Sequence, residues 1–595
     1  MNEAPAALAR LRAAMVEAGI TACIVTNFDP HHSEYSGVHW LAREYFSGFT
    51  GSAGDLLVLA DGGGLWTDGR YSIQAAEQLR GTDIAVFMTR VEGLPSLADH
   101  LASVLGAGDT VAVAGHTVNV AMYQALEAAS AQAGFAVRTD LDLPDQVWAD
   151  RPPRADAKAL DYPLEFAGAS TADKLGDLRS DLAAARRDAI VISALPDVCW
   201  LLNVRGGDVP FCPLLEGFLY VDRARAVFCV DLQKIDGALR ARLEGEGVAL
   251  AGYDEISALV SDATGALSLC PQSTSAALYR SVPQGVDVTL APPPTEVRKA
   301  CKNPVELAAF REALRHDGVA MVRFARWLEA QVPTGTVTER SAEAHLRALR
   351  ATQPHFLEES FHTIAAYGAH GALMHYAATA ETDVTVGTDT LFLVDSGGQY
   401  LGGTTDITRT FAFGELSELE RLDYTRVLQA VIRLTQTRFR KGARGCNLDI
   451  MARGVLWQHG IDYECGTGHG VGQCLVVHEG PQNFSQRLVD APLVPGMSIT
   501  NEPGIYREGR HGVRIENIMA VVEAEETEFG VFYGFETLTL APIQTAPLVV
   551  SALSDDELSW LNGYHVRVYE SLASLLDGEE QRWLQRACAQ LQRSA

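Results

Sequence analysis

Carboxylates and histidines crowd the stretch from residue 371 to residue 519. Leu391–Phe411 reads LFLVDSGGQYLGGTTDITRTF. An apolar strand ends at Asp395, a glycine-rich turn region follows, and a β-branched strand carries Asp406. The chain reverses between the two aspartates, and neighbouring strands lie only ~4.8 Å apart, so both carboxylates can reach one spot. Turn capping competes as a role for Asp395. Asp406, read as mid-strand among Thr and Ile, sits where aspartate is disfavoured and calls for a metal or a cation. Cys465–Pro481 (CGTGHGVGQCLVVHEGP) sets His469 between glycines, which allow close approach, and His478 at the end of an apolar strand. Glu502, in SITNEPGIY, ends a strand before Pro503-Gly504. Glu516, in GVRIENIM, reads as a strand residue with Arg514 on the same face. A buried strand glutamate must be paired or bind a metal, and an Arg514–Glu516 ion pair is the competing reading. His375, in GALMHY, reads on its own as a satisfied polar residue at an apolar strand.

Asp395, Asp406, His469, Glu502 and Glu516 form an ordered set of four carboxylates and one imidazole. Two divalent cations need about that many ligands if carboxylates bridge. Oxygen-rich ligation with a single histidine favours Mn²⁺ or Mg²⁺-like ions over a Cys/His zinc site. Two such ions ~3.5–4 Å apart can hold a bridging hydroxide as nucleophile and polarise a carbonyl.

The elements that must position this set come from a chain of 595 residues, long enough for three or four domains. Residues 149–168 and the APPP of residues 291–294 read as extended connectors, dividing the chain into residues 1–150, 151–294 and 295–595. The first two segments share a pattern. Each opens with an amphipathic helix (Leu8, Leu11, Met15; Leu175, Leu178, Leu182). Each continues into a short apolar strand (Ala22–Thr26; Ala189–Ser193) and further strands (Asp55–Ala60; Gly217–Val221), an α/β unit repeated twice. The third opens on a helix start, with Asn303 as cap, Pro304 at the first position and Glu306 at the third. From residue 551 a helical pattern (Leu558, Leu561, Tyr564, Val568) marks an extension that covers the third domain or builds a dimer.

Composition excludes other classes. Hydrophobic residues make up 47% and charged residues 21%, ample apolar surface against disorder. The 53 glycines have no fixed period, which removes a fibrous chain. Lys plus Arg is 48 against 75 for Asp plus Glu, and a net charge of −27 argues against nucleic acid as a partner. No membrane partner is expected, since no run of 18 apolar residues occurs and residues 1–19 lack an apolar leader core. Ten scattered cysteines without CxxC pairs suit a reducing compartment, and the expected location is cytoplasmic.

The ordered strings resemble the three-domain Xaa-Pro aminopeptidase (aminopeptidase P) family of dinuclear metallopeptidases. The strings are VDSGGQYLGGTTDITRT, GTGHGVG, VHEGP, TNEPG and GVRIEN, with DPHHSEY, FSGFTGSAG, LWTDGRY and WLLNVRGGD upstream. The resemblance covers nearly the whole chain. It implies an α/β (α+β) architecture of two creatinase-N-like domains followed by a pita-bread catalytic domain. It implies release of the residue before proline from peptides with a free N-terminus, and a homodimer. It assigns Asp395, Asp406, His469, Glu502 and Glu516 as metal ligands, with Asp406 and Glu516 bridging. It places His375 and His478 on the scissile carbonyl or the tetrahedral intermediate, has Glu502 handle the water proton, and has Arg514 orient the ligands. The cofactor implied is two divalent ions, Mn²⁺ first, with Zn²⁺ or Co²⁺ as alternatives.

One position departs from the family. Cys465 stands where relatives carry a histidine four residues before the ligand histidine, lining the site with a thiol open to oxidation or metals. The competing readings are an Xaa-Pro dipeptidase of the same fold, a methionine aminopeptidase, a metal-free creatinase-like enzyme and an inactive peptide-binding module. The two N-terminal units disfavour the methionine enzyme. The full ligand set disfavours the last two.

Overall fold

The computed structural model describes residues 4–89 and 93–593. Residues 1–3, 90–92 and 594–595, within the expected first domain and the C-terminal extension, lie outside the described residues. Packing divides the chain into two compact units, one of residues 1–164 with 169–296 and the other of residues 165–168 with 297–595.

The first unit holds the repeat that the helix–strand pattern predicts. Helix Ala4–Ala18 buries Leu8, Leu11 and Met15, and helix Thr171–Ala184 buries Leu175, Leu178 and Leu182. Each precedes a six-stranded sheet, and in each sheet the strands, numbered along the chain within it, run 4-3-2-1-5-6. Strand 1 is Ala22–Val25 in one sheet and Ala189–Ile192 in the other. In both sheets it pairs antiparallel with strand 2 and parallel with strand 5. These first strands are buried throughout, as apolar runs with both faces covered must be. The halves meet where their helix caps face each other. Asn119 and Ser275 each cap a helix and bridge to one another, and Ala276 N donates to Val118 O at 2.8 Å.

The APPP stretch is not wholly extended. Helix Pro294–Ala300 begins on its third proline, because proline's fixed φ and missing N–H are tolerated in a first helical turn. The next helix, Pro304–Gln331, starts as its sequence predicts. Asn303 Oδ1 accepts from Val305 N and Glu306 N, while Glu306 Oε2 accepts from Asn303 N.

Two sheets of the second unit position the acidic residues. Ile364–Tyr367, Phe392–Ser396 and Ile407–Phe411 form one antiparallel sheet. Ser498–Asn501, Asn517–Thr527 and Gly468–Gly470 belong to a six-stranded sheet. The hairpin Gly504–Arg507 with His511–Arg514 lies in sequence between two strands of the larger sheet, Ser498–Asn501 and Asn517–Thr527. The C-terminal extension covers this unit. Leu561, Tyr564, Val568 and Leu572 of helix Asp555–Leu572 are buried in one cluster with Tyr424, Leu428, Ile432 and Ile515, and Trp583 and Leu584 of the last helix join them.

Candidate metal centre

Strand ends carry the acidic set. Asp395 lies in Phe392–Ser396, opposite Thr408 of the antiparallel neighbour. Asp406 is not mid-strand: it occupies a two-residue break before Ile407–Phe411. Glu516 likewise occupies a break, between His511–Arg514 and Asn517–Thr527, rather than the interior of one strand. Both departures have one cause. A side chain turned out of the pleat toward a shared centre takes its backbone out of the ladder. Glu502 follows Asn501 directly, and since Asn501 pairs with Asn517, the next antiparallel pair sets Glu502 against Glu516.

His469 lies at the middle of Gly468–Gly470. A Cβ on either glycine would run into backbone, Thr500 O for Gly468 and Glu479 O for Gly470. His469 Nδ1 lies 2.9 Å from Gly470 O, and because a carbonyl only accepts, Nδ1 carries the proton. Nε2 is then an acceptor, 3.4 Å from Asp406 Oδ2 and 3.3 Å from Glu502 Oε1. One acceptor facing two carboxylate oxygens at that range is repulsive unless a cation or a proton sits between them. Among the described residues, Asp406, His469 and Glu516 bring one ligand atom each within 4.8 Å of one another.

The electrostatics make the same demand. Burial, then Asp395 and Glu502, push the Asp406 carboxyl well above the ordinary carboxylate range. Burial, then Asp406, Glu502 and Asp395, do the same at Glu516, which is 1% exposed. Asp395 Oδ1 and Glu516 Oε1 are buried and accept no hydrogen bond. Orphaned oxygens in a four-carboxylate cluster fit hard divalent cations.

Arg514 supplies a fixed charge at the rim. Its Nη2 donates to Asp395 Oδ2 at 2.6 Å, its Nε to Thr408 Oγ1 at 3.1 Å and its Nη1 to the Tyr506 hydroxyl at 2.8 Å. The competing ion pair with Glu516 is not formed; Arg514 pairs with Asp395 instead. Glu516 Oε2 accepts from the Thr408 hydroxyl at 2.8 Å, and Thr500 Oγ1 lies 3.2 Å from Glu502 Oε1. Thr408 and Thr500 were passed over in the sequence, although strand alternation puts Thr408 on the face of Asp406. Arg514→Met is expected to weaken metal affinity about 10–100-fold, because Asp395 loses the donor that orients it. Calorimetric Mn²⁺ titration of the stripped protein reads this.

His478 precedes the strand Glu479–Phe484 instead of ending one, because the glycine-rich LVVH approach turns, with Gly472 N donating to Val476 O. Its ring meets that of His469 edge-on, centroids 4.4 Å apart at 89°. His375 is also not in a strand. It lies in the turn after the short 3₁₀ helix Gly368–Ala372, whose Gly371 packs against the Gly512 backbone where a Cβ would be crowded. Arg514 Nη2 lies 3.5 Å from the oxygen of the adjacent Met374. Cys465 is half-buried beside this centre, its carbonyl held by Arg453 Nη2 at 3.0 Å. Burial first, then Glu502, push its thiol up to about 12.

A repeated α/β unit followed by an acid-rich centre with one histidine defines a metallopeptidase. Residues 308–523 match the metallopeptidase family M24 model, and residues 531–591 match the C-terminal region of that family. Residues 8–140 and 150–306 each match a creatinase/prolidase N-terminal domain. Aminopeptidase P2 of Arabidopsis thaliana is 37% identical over 95% of this chain and 85% of that protein. A probable Xaa-Pro aminopeptidase P of Neosartorya fischeri is 36% identical over 98% and 92%. The X-prolyl aminopeptidase of Caenorhabditis elegans, a cytosolic enzyme with a di-nuclear active site, superposes with a TM-score of 0.95. It is 31% identical, over 99% of this chain and 100% of that one. An Xaa-Pro dipeptidase from Bacillus anthracis shares the fold over 63% of this chain and 99% of its own, at 24% identity and a TM-score of 0.51. The chain belongs to the aminopeptidase P family of M24 metallopeptidases.

Proposed function

We propose that this chain removes the N-terminal residue from peptides with proline in second position. Two divalent ions, Mn²⁺ first, would be held by Asp395, Asp406, His469, Glu502 and Glu516. The carrying observation is His469 Nε2, 3.4 Å from Asp406 Oδ2 and 3.3 Å from Glu502 Oε1 with Glu516 gathered beside them, in a chain related over nearly its full length to aminopeptidases P. Bound ions supply an activated water and polarise the scissile carbonyl. Glu502, braced by Thr500, takes the proton of that water at its carboxylate. His478 and His375 donate to the carbonyl oxygen as it becomes negative. Arg514 holds Asp395 in place. An Xaa-Pro bond offers no N–H, so recognition falls on the free amine and the ring.

The organisation we assign is residues 1–150, 151–294 and 295–595, working as a cytoplasmic homodimer. The ten cysteines are scattered along the chain without CxxC pairs, which suits a reducing compartment, and among the described residues no helix is long and apolar enough to cross a membrane.

The test strips the metal, restores Mn²⁺ and offers an Xaa-Pro-Xaa tripeptide, its Xaa-Ala-Xaa analogue and an Xaa-Pro dipeptide. Mn²⁺-restored release from the proline tripeptide alone is the expected result. Cleavage of the dipeptide alone would replace this reading with a dipeptidase, and no turnover with two ions bound would make the chain a binding module.

The thiol expectation changes. A pKa of about 12 leaves a Cys465 thiolate fraction on the order of 10⁻⁴ at pH 8, too little for ready alkylation. Wild-type enzyme and Cys465→Ser should therefore lose activity to iodoacetamide equally slowly. Fast inactivation of the wild type alone would refute this.

A further inference from the structure

The two histidines of the centre, His469 and His478, bound a short loop whose ends are gripped by charge. Glu479 follows His478 directly, and its side chain is wholly buried. Oε2 accepts from Lys299 Nζ at 2.9 Å and Oε1 from Lys302 Nζ. Both lysines are buried too, with side chains 4% and 1% exposed. Lys302 has a second hold: Nζ donates to Val471 O at 2.8 Å, an oxygen that also accepts from Ser498 Oγ at 2.7 Å. Val471 follows Gly470, the residue whose carbonyl sets the His469 tautomer. Lys302 therefore touches the residue after each end of the paired segment, and Gly470 pairs with Glu479 in the ladder. Between the ends, the loop is tied down by Gln399 Nε2 on Leu475 O at 2.9 Å and by Leu475 N on Thr404 Oγ1 at 3.2 Å.

Two ammonium groups on one carboxylate form an expensive way to fill a core. Burying charge costs several kcal/mol per ion, and apolar residues of the same volume are often as stable or more so. What a charged cluster supplies and an apolar one does not is a fixed geometry. Here that geometry governs the 4.4 Å edge-on placement of the His469 and His478 rings.

We propose that Lys302 and Glu479 are positioning residues of the reaction centre. One buried ion cluster, contributed from the segment before helix Pro304–Gln331, sets the spacing between the imidazole that faces the carboxylates and the imidazole that faces the substrate carbonyl. Lys299 steadies Glu479 at the His478 end. The proposal rests on the peptidase reading for the role of His478, and on geometry alone for His469.

The test uses full-length Lys302→Met, Lys299→Met and Glu479→Gln, each assayed well below its own melting midpoint. Mn²⁺ affinity is read by calorimetry, and kcat and KM on the proline tripeptide. Lys302→Met is expected to lose about 10-fold or more in both Mn²⁺ affinity and kcat. Lys299→Met and Glu479→Gln should lose kcat to a similar degree with Mn²⁺ affinity kept, and KM should hold in all three. Should Lys302→Met fail to accumulate, Ser498→Ala removes the other donor to Val471 O and gives the affinity readout. Lower melting midpoints with unchanged kcat and affinity would overturn the proposal, leaving the cluster a matter of stability. If the wild type cleaves no peptide, the peptidase reading falls. The Mn²⁺ contrast between Lys302→Met and Lys299→Met then decides the His469 half on its own, and equal affinities would overturn it.

Discussion

Glu516→Gln will empty the centre and abolish turnover, yet leave the metal-free protein more stable than the metal-free wild type. The Glu516 carboxyl is held well above its ordinary range by burial, then by Asp406, Glu502 and Asp395. Its folded pKa thus exceeds its unfolded value of about 4.3. The stability it contributes is full below that value and is lost as pH rises through the raised folded pKa. At pH 8, far above the unfolded value, the metal-free wild type therefore bears the penalty of a buried, repelled carboxyl that the glutamine variant lacks. Bound cations reverse the balance, since they need the charge that the variant has given up. The Thr408 hydroxyl can still donate to the surviving side-chain oxygen, so the fold is not otherwise disturbed. The expected loss in kcat/KM is at least about 10³-fold, about 4 kcal/mol of transition-state stabilisation. Thermal melts with chelator and with Mn²⁺, from pH 5 to pH 8, check this. A metal-free variant melting below the metal-free wild type at pH 8, or one that retains two Mn²⁺, would contradict it.

Arg409→Met is expected to cost about 5 kcal/mol, near the whole stability of many domains. Arg409 is 2% exposed and sits behind the centre. Nη1 donates to Glu516 O at 2.7 Å and Thr408 O at 2.9 Å, and Nε to Pro542 O at 3.2 Å. Nη2 donates to Asn517 Oδ1, Ala541 O and the Tyr564 hydroxyl, each at 2.9 Å. Methionine fills similar volume but leaves these acceptors dry, at about 1–3 kcal/mol for each that finds no substitute. Tyr564 can still donate to Ala541 O at 2.8 Å, so the total falls short of six full penalties. Tyr564→Phe, which keeps the guanidinium, should cost about 1 kcal/mol. Urea unfolding of both variants separates the cases. A loss under about 1 kcal/mol for Arg409→Met would mean that water replaces the guanidinium.

The residues proposed as ligands stand out in the sequence because their types are wrong for their surroundings. Aspartate and glutamate among β-branched neighbours, and a histidine between glycines, demand a reason that an ordinary core residue does not. The doubled N-terminal unit was legible from helix-to-strand periodicity, and the helix at Asn303 from its cap. What periodicity could not give was the break in the ladder at Asp406 and Glu516, since alternation looks the same across a two-residue interruption. It also could not give partners distant along the chain. Nothing in TRT shows that Arg409 holds Glu516 O and the Tyr564 hydroxyl, and nothing in VHEGP shows Lys299 and Lys302 against Glu479.

The contact between Arg409 and Tyr564 sets an order of events during synthesis. All five ligands leave the ribosome before Tyr564 does, and so does Arg409. Until helix Asp555–Leu572 arrives, the guanidinium that holds the backbone of Glu516 lacks its hydroxyl partner, and the cluster around Ile515 has an open side. A nascent chain halted near residue 550 would carry every ligand in its sequence and no finished site.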